Sequence, residues 1–103
     1  MNVRLIVPKL TNEQNPIERY GLQIATIARG FTAFEATGGW IDNEYHFIVE
    51  PVVVFDIDVV SDLQFVMVYG IDELKTLARK IAYELQQTWV YFSVDGKVEY
   101  IGP

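Results

Sequence analysis

Glu35 stands between Phe34 and Ala36, just ahead of Thr37-Gly38-Gly39-Trp40, in an alternating run that reads as a strand. A carboxylate there is either exposed on an open sheet face or desolvated, and desolvation would raise its pKa toward useful acid/base values. The two glycines would leave backbone N–H groups accessible, and Trp40 offers a flat surface for a ring. Glu50, and Glu44 beside it, would supplement Glu35 from the returning strand if the register brings them opposite. The plainer reading is a glutamate in water or at a subunit interface, with Gly38-Gly39 forming a bulge. Glu35 is thus the candidate catalytic residue, and Thr37, Gly38, Gly39, Trp40 and Glu50 are the candidate binding residues.

Two other patterns offer chemistry and carry less of it. Val52–Val60 ends an apolar run in Asp56-Ile57-Asp58, which resembles the nucleophile motif of haloacid-dehalogenase-type phosphotransferases. That family needs a longer α/β domain with the motif on its first strand. Solvent-face or edge-protecting aspartates are therefore the preferred reading, over a metal site of Asp56, Asp58 and Asp62. His46 is the only histidine and there is no cysteine, which leaves no nitrogen- or sulfur-rich metal site and no Ser–His–Asp set. No metal and no cofactor are expected.

The elements that position these residues follow from periodicity. Val3–Val7, closed by Pro8, reads as a first strand. Asn15-Pro16 is a helix start, and Ile17, Tyr20, Ile24, Ile27 and Ala28 form a stripe with Gly21 on the same side. Arg29 falls in the last turn with Gly30 just past it. Phe31–Trp40 and Tyr45–Val49 form a strand pair around an Asp42-Asn43 turn, with Glu50-Pro51 interrupting the pairing. Val52–Val60 and Leu63–Tyr69 read as two more strands around Ser61-Asp62. Asp72 caps a second helix with Leu74, Leu77, Ala78, Ile81 and Leu85 on its stripe. Thr88–Val94 and Lys97–Ile101 flank Asp95-Gly96, a strong two-residue hairpin signal. Trp89, Tyr91 and Tyr100 read as core or interface aromatics.

This order predicts one domain over residues 1–103. Its class is α+β, a ferredoxin-like split βαβ sandwich: an antiparallel sheet, two helices on one face and an extra C-terminal hairpin. Half of the residues are hydrophobic, a large supply for so small a body, so self-association is expected, with a trimer the first guess. Fourteen acidic residues against eight Lys and Arg give a net charge of −6. Nucleic-acid binders neutralise phosphates with a basic face, so no nucleic-acid partner is expected. No apolar run reaches bilayer length and no signal-peptide pattern opens the chain, which predicts a soluble cytoplasmic protein without a membrane partner. An acidic protein that blocks a basic macromolecule fits the charge as well.

Phe34-Glu35-Ala36-Thr37, the Gly39-Trp40 turn, the strand through Glu50, the second helix and Gln87-Thr88-Trp89-Val90-Tyr91 together resemble the phage S-adenosylmethionine lyases. These are trimeric, ferredoxin-like and similar in shape to PII signalling proteins. Gly38-Gly39-Trp40 with Glu50-Pro51 is also similar to a bacterial family of unknown function with a G-x-W turn before a Glu-Pro strand. The resemblance spans about residues 20–92. It implies a pocket between subunits, with Glu35 at the position of the catalytic strand glutamate. The implied reaction is intramolecular: the substrate's carboxylate displaces methylthioadenosine and leaves homoserine lactone. Such chemistry mainly needs the substrate folded into a near-attack shape with its charges complemented. The chain is shorter than the lyases and carries Pro51 with a Val-rich stretch after it. Two readings therefore stand side by side: an oligomer that binds a small molecule (an adenine nucleotide or S-adenosylmethionine) or a protein partner, and a lyase.

Overall fold

The computed structural model describes residues 1–59 and 64–103, with side chains from Tyr69 onward in the helix that opens at Gln64. The elements are β1 (Asn2–Pro8), α1 (Pro16–Ala28), β2 (Thr32–Ile41), β3 (Phe47–Asp58), α2 (Gln64–Glu84), β4 (Val90–Val94) and β5 (Lys97–Ile101). The strands form one antiparallel sheet in the order β2-β3-β1-β4-β5. This is the ferredoxin-like α+β sandwich expected from the sequence, extended by the β4–β5 hairpin. That hairpin turns through Asp95 and Gly96, at φ 50° and 81°, the pair of left-handed residues a two-residue turn needs.

Alternation along the strands separates a covered face from an open one. Val3, Leu5 and Val7 of β1, Val53, Phe55 and Ile57 of β3, and Phe92 of β4 are fully buried against the helices. Tyr20 and Ile24 of α1 and Leu74, Ala78 and Ile81 of α2 close over them. Asn15 caps α1, its side-chain oxygen accepting from the Ile17 N–H at 2.9 Å. Gly21 is where α1 comes close: a Cβ there would stand 3.0 Å from the Phe31 ring. That ring in turn packs edge-on to Phe55.

Four sequence expectations change. Glu50-Pro51 does not break the strand, and the runs expected on either side of it join in the single long β3, Phe47–Asp58. The Pro51 carbonyl accepts from Lys9 N–H at 3.0 Å, so the side on which proline lacks a donor is the β1 side. There β1 has already ended, Pro8 being level with Val52. The missing N–H therefore costs only the reciprocal bond to the Lys9 carbonyl, one residue past the end of β1.

Leu63–Tyr69 is not a strand: α2 opens at Gln64. Both edges of β3 are taken, by β2 and β1, so no further strand can be hairpinned to it. Moreover β3 and β4 run parallel on either side of β1, and parallel strands require a crossover, which the helix provides. Gly70 is buried four residues before Leu74, so the covered stripe begins well ahead of Asp72. Asp72 is accordingly not a cap but an exposed residue inside α2. Ser61, Asp62 and Leu63 lie outside the described residues. Finally, the left-handed residue that ends α1 is Arg29 (φ 77°) rather than Gly30, its N–H donating to Ala25 at 2.8 Å.

Candidate functional site

The open face of the sheet carries Asn2, Arg4, Ile6 and Pro8 from β1, and Glu50, Val52, Val54, Asp56 and Asp58 from β3. At the end where β2 and β3 outrun β1, this face sinks into a cleft of about 600 Å³. The register explains who meets there. Gly38 pairs with Glu50, Val52 with Pro8, Ile6 with Tyr91, and Tyr91 with Tyr100. Gly38, Trp40, Glu50, Trp89, Tyr91 and Tyr100 all line the cleft, over an apolar floor that includes Ile6 and Val52. Across the sheet Trp40 on β2 and Trp89 before β4 stand three strand spacings apart, about 14 Å in that direction. They are offset along the strands as well, Trp40 being level with Ile48 and Trp89 two residues before Tyr91, the partner of Ile6. The space between them lies over β3 and β1.

The glycine at 38 acts through space, not through backbone freedom. A Cβ there would meet Val52 Cγ1 at 3.2 Å, so the cleft floor beside Glu50 is already filled to contact. Trp89 packs on Tyr100 with ring centroids 6.0 Å apart, and Tyr100 meets Tyr91 edge-on at 6.0 Å. Trp40, Trp89 and Tyr100 nevertheless remain roughly half exposed, at 46%, 58% and 62%. These are large rings left partly in solvent.

Electrostatically, the cleft is defined by Glu50. It is partly buried, and burial pushes its carboxyl above the ordinary carboxylate value. Among the described residues no hydrogen-bond donor or cation pairs with it, and no Lys, Arg or His lines the cleft. The other partly buried carboxylates behave differently. Asp42 accepts from the Glu44 and His46 backbone N–H groups at 2.8 Å each. Asp56 accepts from Asn2 Nδ2 at 2.6 Å, and Glu84 accepts from the Tyr20 hydroxyl at 3.0 Å.

The sequence-derived candidates divide by strand parity. Gly38, Trp40 and Glu50 share the open face at the cleft, and Gly39, of the other parity, also borders it. Glu35 and Thr37 lie on the opposite, helix-side face of β2, level with Val53 and Pro51. Glu35 is half exposed and ion-paired with Lys9. Glu44 is exposed in the loop between β2 and β3, 3.7 Å from His46 Nδ1. His46, also exposed, sits 3.3 Å from Asp42. Asp56 and Asp58 are bridged by the Asn2 amide, and Arg4 Nε is 3.8 Å from Asp56. Among the described residues no three acidic or histidine side chains are grouped to hold a metal. Asp62, the third member of that set, lies outside them.

The sequence reading missed Tyr91, Tyr100 and Trp89 as cleft residues. The signal was present in the alternation: Val90, Phe92 and Ile101 are buried between the exposed or half-buried rings. Parity alone, however, does not say which face the helices cover.

Among the described residues no helix is long and apolar enough to cross a membrane. No protein-family model matches the chain, and no curated protein matches it in sequence. A solved structure does match in shape: a phage S-adenosylmethionine lyase in complex with S-methyl-5′-thioadenosine, with a TM-score of 0.68 and 13% sequence identity. The match covers 99% of this chain and 88% of that one. The resemblance to small ferredoxin-like proteins of the lyase kind is therefore present at the level of the fold.

Proposed function

We propose that this domain binds a small, adenosine-bearing molecule of the S-adenosylmethionine or methylthioadenosine type in the open-face cleft. The observation that carries the reading is the cleft itself. Three large, half-exposed rings and a partly buried carboxylate that pairs with no described residue line one space of about 600 Å³. Stacking on Trp40 or Trp89 would hold a purine, and Glu50 and the Tyr91 and Tyr100 hydroxyls would receive polar groups. The fold likeness to a phage lyase with a bound thionucleoside supports the ligand class without specifying it. Calorimetric titration with S-adenosylmethionine and methylthioadenosine tests the reading. Saturable binding of either, weakened at least tenfold by Trp40→Ala, is expected, and heats of dilution alone for both would end it.

The second reading is the lyase, and the full-length fold likeness is what favours it. The substrate's carboxylate oxygen would bond to its γ-carbon while the C–S bond breaks, its electron pair neutralising the sulfonium. Homoserine lactone and methylthioadenosine result, with no water or proton consumed. Under this reading Glu35, facing away from the cleft of its own chain, would act across a subunit boundary in a trimer. The exposed Ile41, Phe47 and Val49 on the same side of the β2–β3 arm are apolar surface suited to such self-association. Product analysis by chromatography with the parent and Glu35→Gln, alongside light scattering for the assembly, separates lyase from binding module. Turnover that Glu35→Gln abolishes is the lyase outcome; binding without turnover is the other.

A further inference from the structure

We infer that the cleft selects its ligand by positive charge, seating a small organic cation with a sulfonium or ammonium head against Glu50 and the surrounding aromatic rings. The inference rests on the reading of the cleft as a ligand site and adds the sign of the charge it demands.

A carboxylate removed from water loses hydration that something must replace. Asp42, Asp56 and Glu84 obtain that replacement from donors within the chain. Glu35, half exposed on the other face of β2, is paired with Lys9. Glu50 alone among the described partly buried carboxylates has no such partner, and it is the one that lines the cleft. The same cleft is lined by Trp40, Trp89, Tyr91 and Tyr100, and aromatic ring faces carry the negative end of a quadrupole that attracts cations within about 6 Å. Carboxylate and ring faces thus present the same sign of potential to one space. No basic side chain among the described residues offsets it, and the net charge of −6 reinforces it at longer range.

The same arrangement excludes a second ligand class. A nucleoside di- or triphosphate would bring its negative charge beside Glu50 with no Lys, Arg or His among the described lining residues to receive it. Within the adenosine-bearing molecules, the cleft therefore favours the cationic S-adenosylmethionine over its thioether relatives, and both over ATP.

The test is a calorimetric comparison on the purified full chain and on Glu50→Gln, which keeps size and removes charge. S-Adenosylmethionine is set against S-adenosylhomocysteine, which differs by the sulfonium methyl. Choline is set against 3,3-dimethylbutan-1-ol, its uncharged isostere, which puts the question without an adenosine. On the parent the cation of each pair that binds should bind at least tenfold more tightly, with ATP showing no heat beyond dilution. In Glu50→Gln that ratio should fall to about two or less. Equal affinity within the pairs on the parent would overturn the charge inference and leave the ligand site standing. A ratio that persists in Glu50→Gln would overturn the role of Glu50. Absence of binding by all five compounds would overturn both the inference and the ligand reading beneath it.

Discussion

Gly38 and Glu50 are direct partners across the β2–β3 ladder, and a side chain at position 38 would crowd Val52, the next open-face residue along β3 from Glu50. Gly38→Val puts this to use. The added Cβ comes within 3.2 Å of Val52 Cγ1, and the two methyls beyond it project into the cleft. Replacing glycine in a strand ordinarily gains about 0.5–1 kcal/mol, which the crowding offsets. The expected outcome is a near-unchanged melting temperature with S-adenosylmethionine binding weakened at least tenfold, checked by calorimetry and a thermal melt on the same sample.

Glu50 also has a pH signature opposite to that of an ion-paired carboxylate. Burial raises its pKa above 4.5, so the folded chain retains a proton that the unfolded chain releases. Its contribution to stability is therefore most favourable below pH 4.5, falls as pH rises through the window up to the folded-state value, and stays low beyond it. Glu50→Gln should melt above the parent at pH 7.5, and the gap should close as pH is lowered through that window. A variant that melts below the parent at pH 7.5 would show that the carboxylate is stabilised by the fold.

A second polar contact ties the two helices together. Tyr20 is 1% exposed and donates its hydroxyl to Glu84, and burial, then that hydrogen bond and the carboxylate's charge, push its phenol up to about 12. An absorbance titration at alkaline pH should thus show a late step from this group, at about pH 12. The raised value means this group's contribution is intact below pH 10 and is lost as pH rises from there through about 12. Tyr20→Phe keeps the ring and removes the bond, at a cost of about 1 kcal/mol. That corresponds to roughly 4–8 °C in a domain of this size, and it should abolish the late titration step.

The β4–β5 turn offers a backbone test. Gly96 sits at φ +81° with open space where a Cβ would go, so Gly96→Ala meets no clash, only the left-handed backbone. A loss of about 1–2 kcal/mol is expected, measured by denaturant titration with an unchanged slope.

That turn was plain in the sequence, because Asp-Gly between two alternating runs has few other uses. So were the cap at Asn15, the α1 stripe and the overall strand–helix order. The opening of α2 was not. Phe65-Val66-Met67-Val68 has strand-like composition, and only the occupied edges of β3 show that no strand can be added there. The site was half legible. Gly38, Gly39, Trp40 and Glu50 come from the stretch singled out for its chemistry, yet Glu35 and Thr37 from the same stretch face the other way. A one-residue difference in parity decides which side of a strand a side chain takes, and the chain alone does not say which side the helices occupy. Trp89, Tyr91 and Tyr100 joined the site through strand order, a long-range property that no local pattern encodes.

Pro51 marks where β3 passes from having two neighbours to having one. Beyond it, residues 37–41 and 47–51 are a ribbon held by a single ladder, whereas Val53 to Ile57 are sandwiched between β2 and β1. An isolated two-stranded ribbon is marginal in water. Amide hydrogens along one continuous strand should accordingly exchange at two rates, fast on the Phe47–Glu50 side and slow on the Val53–Ile57 side, with the proline as the boundary. Trp40 rides on the fast segment, while Tyr91 and Tyr100 belong to the β4–β5 side, where β4 is paired to β1. One rim of the cleft thus samples its positions on a shorter clock than the other.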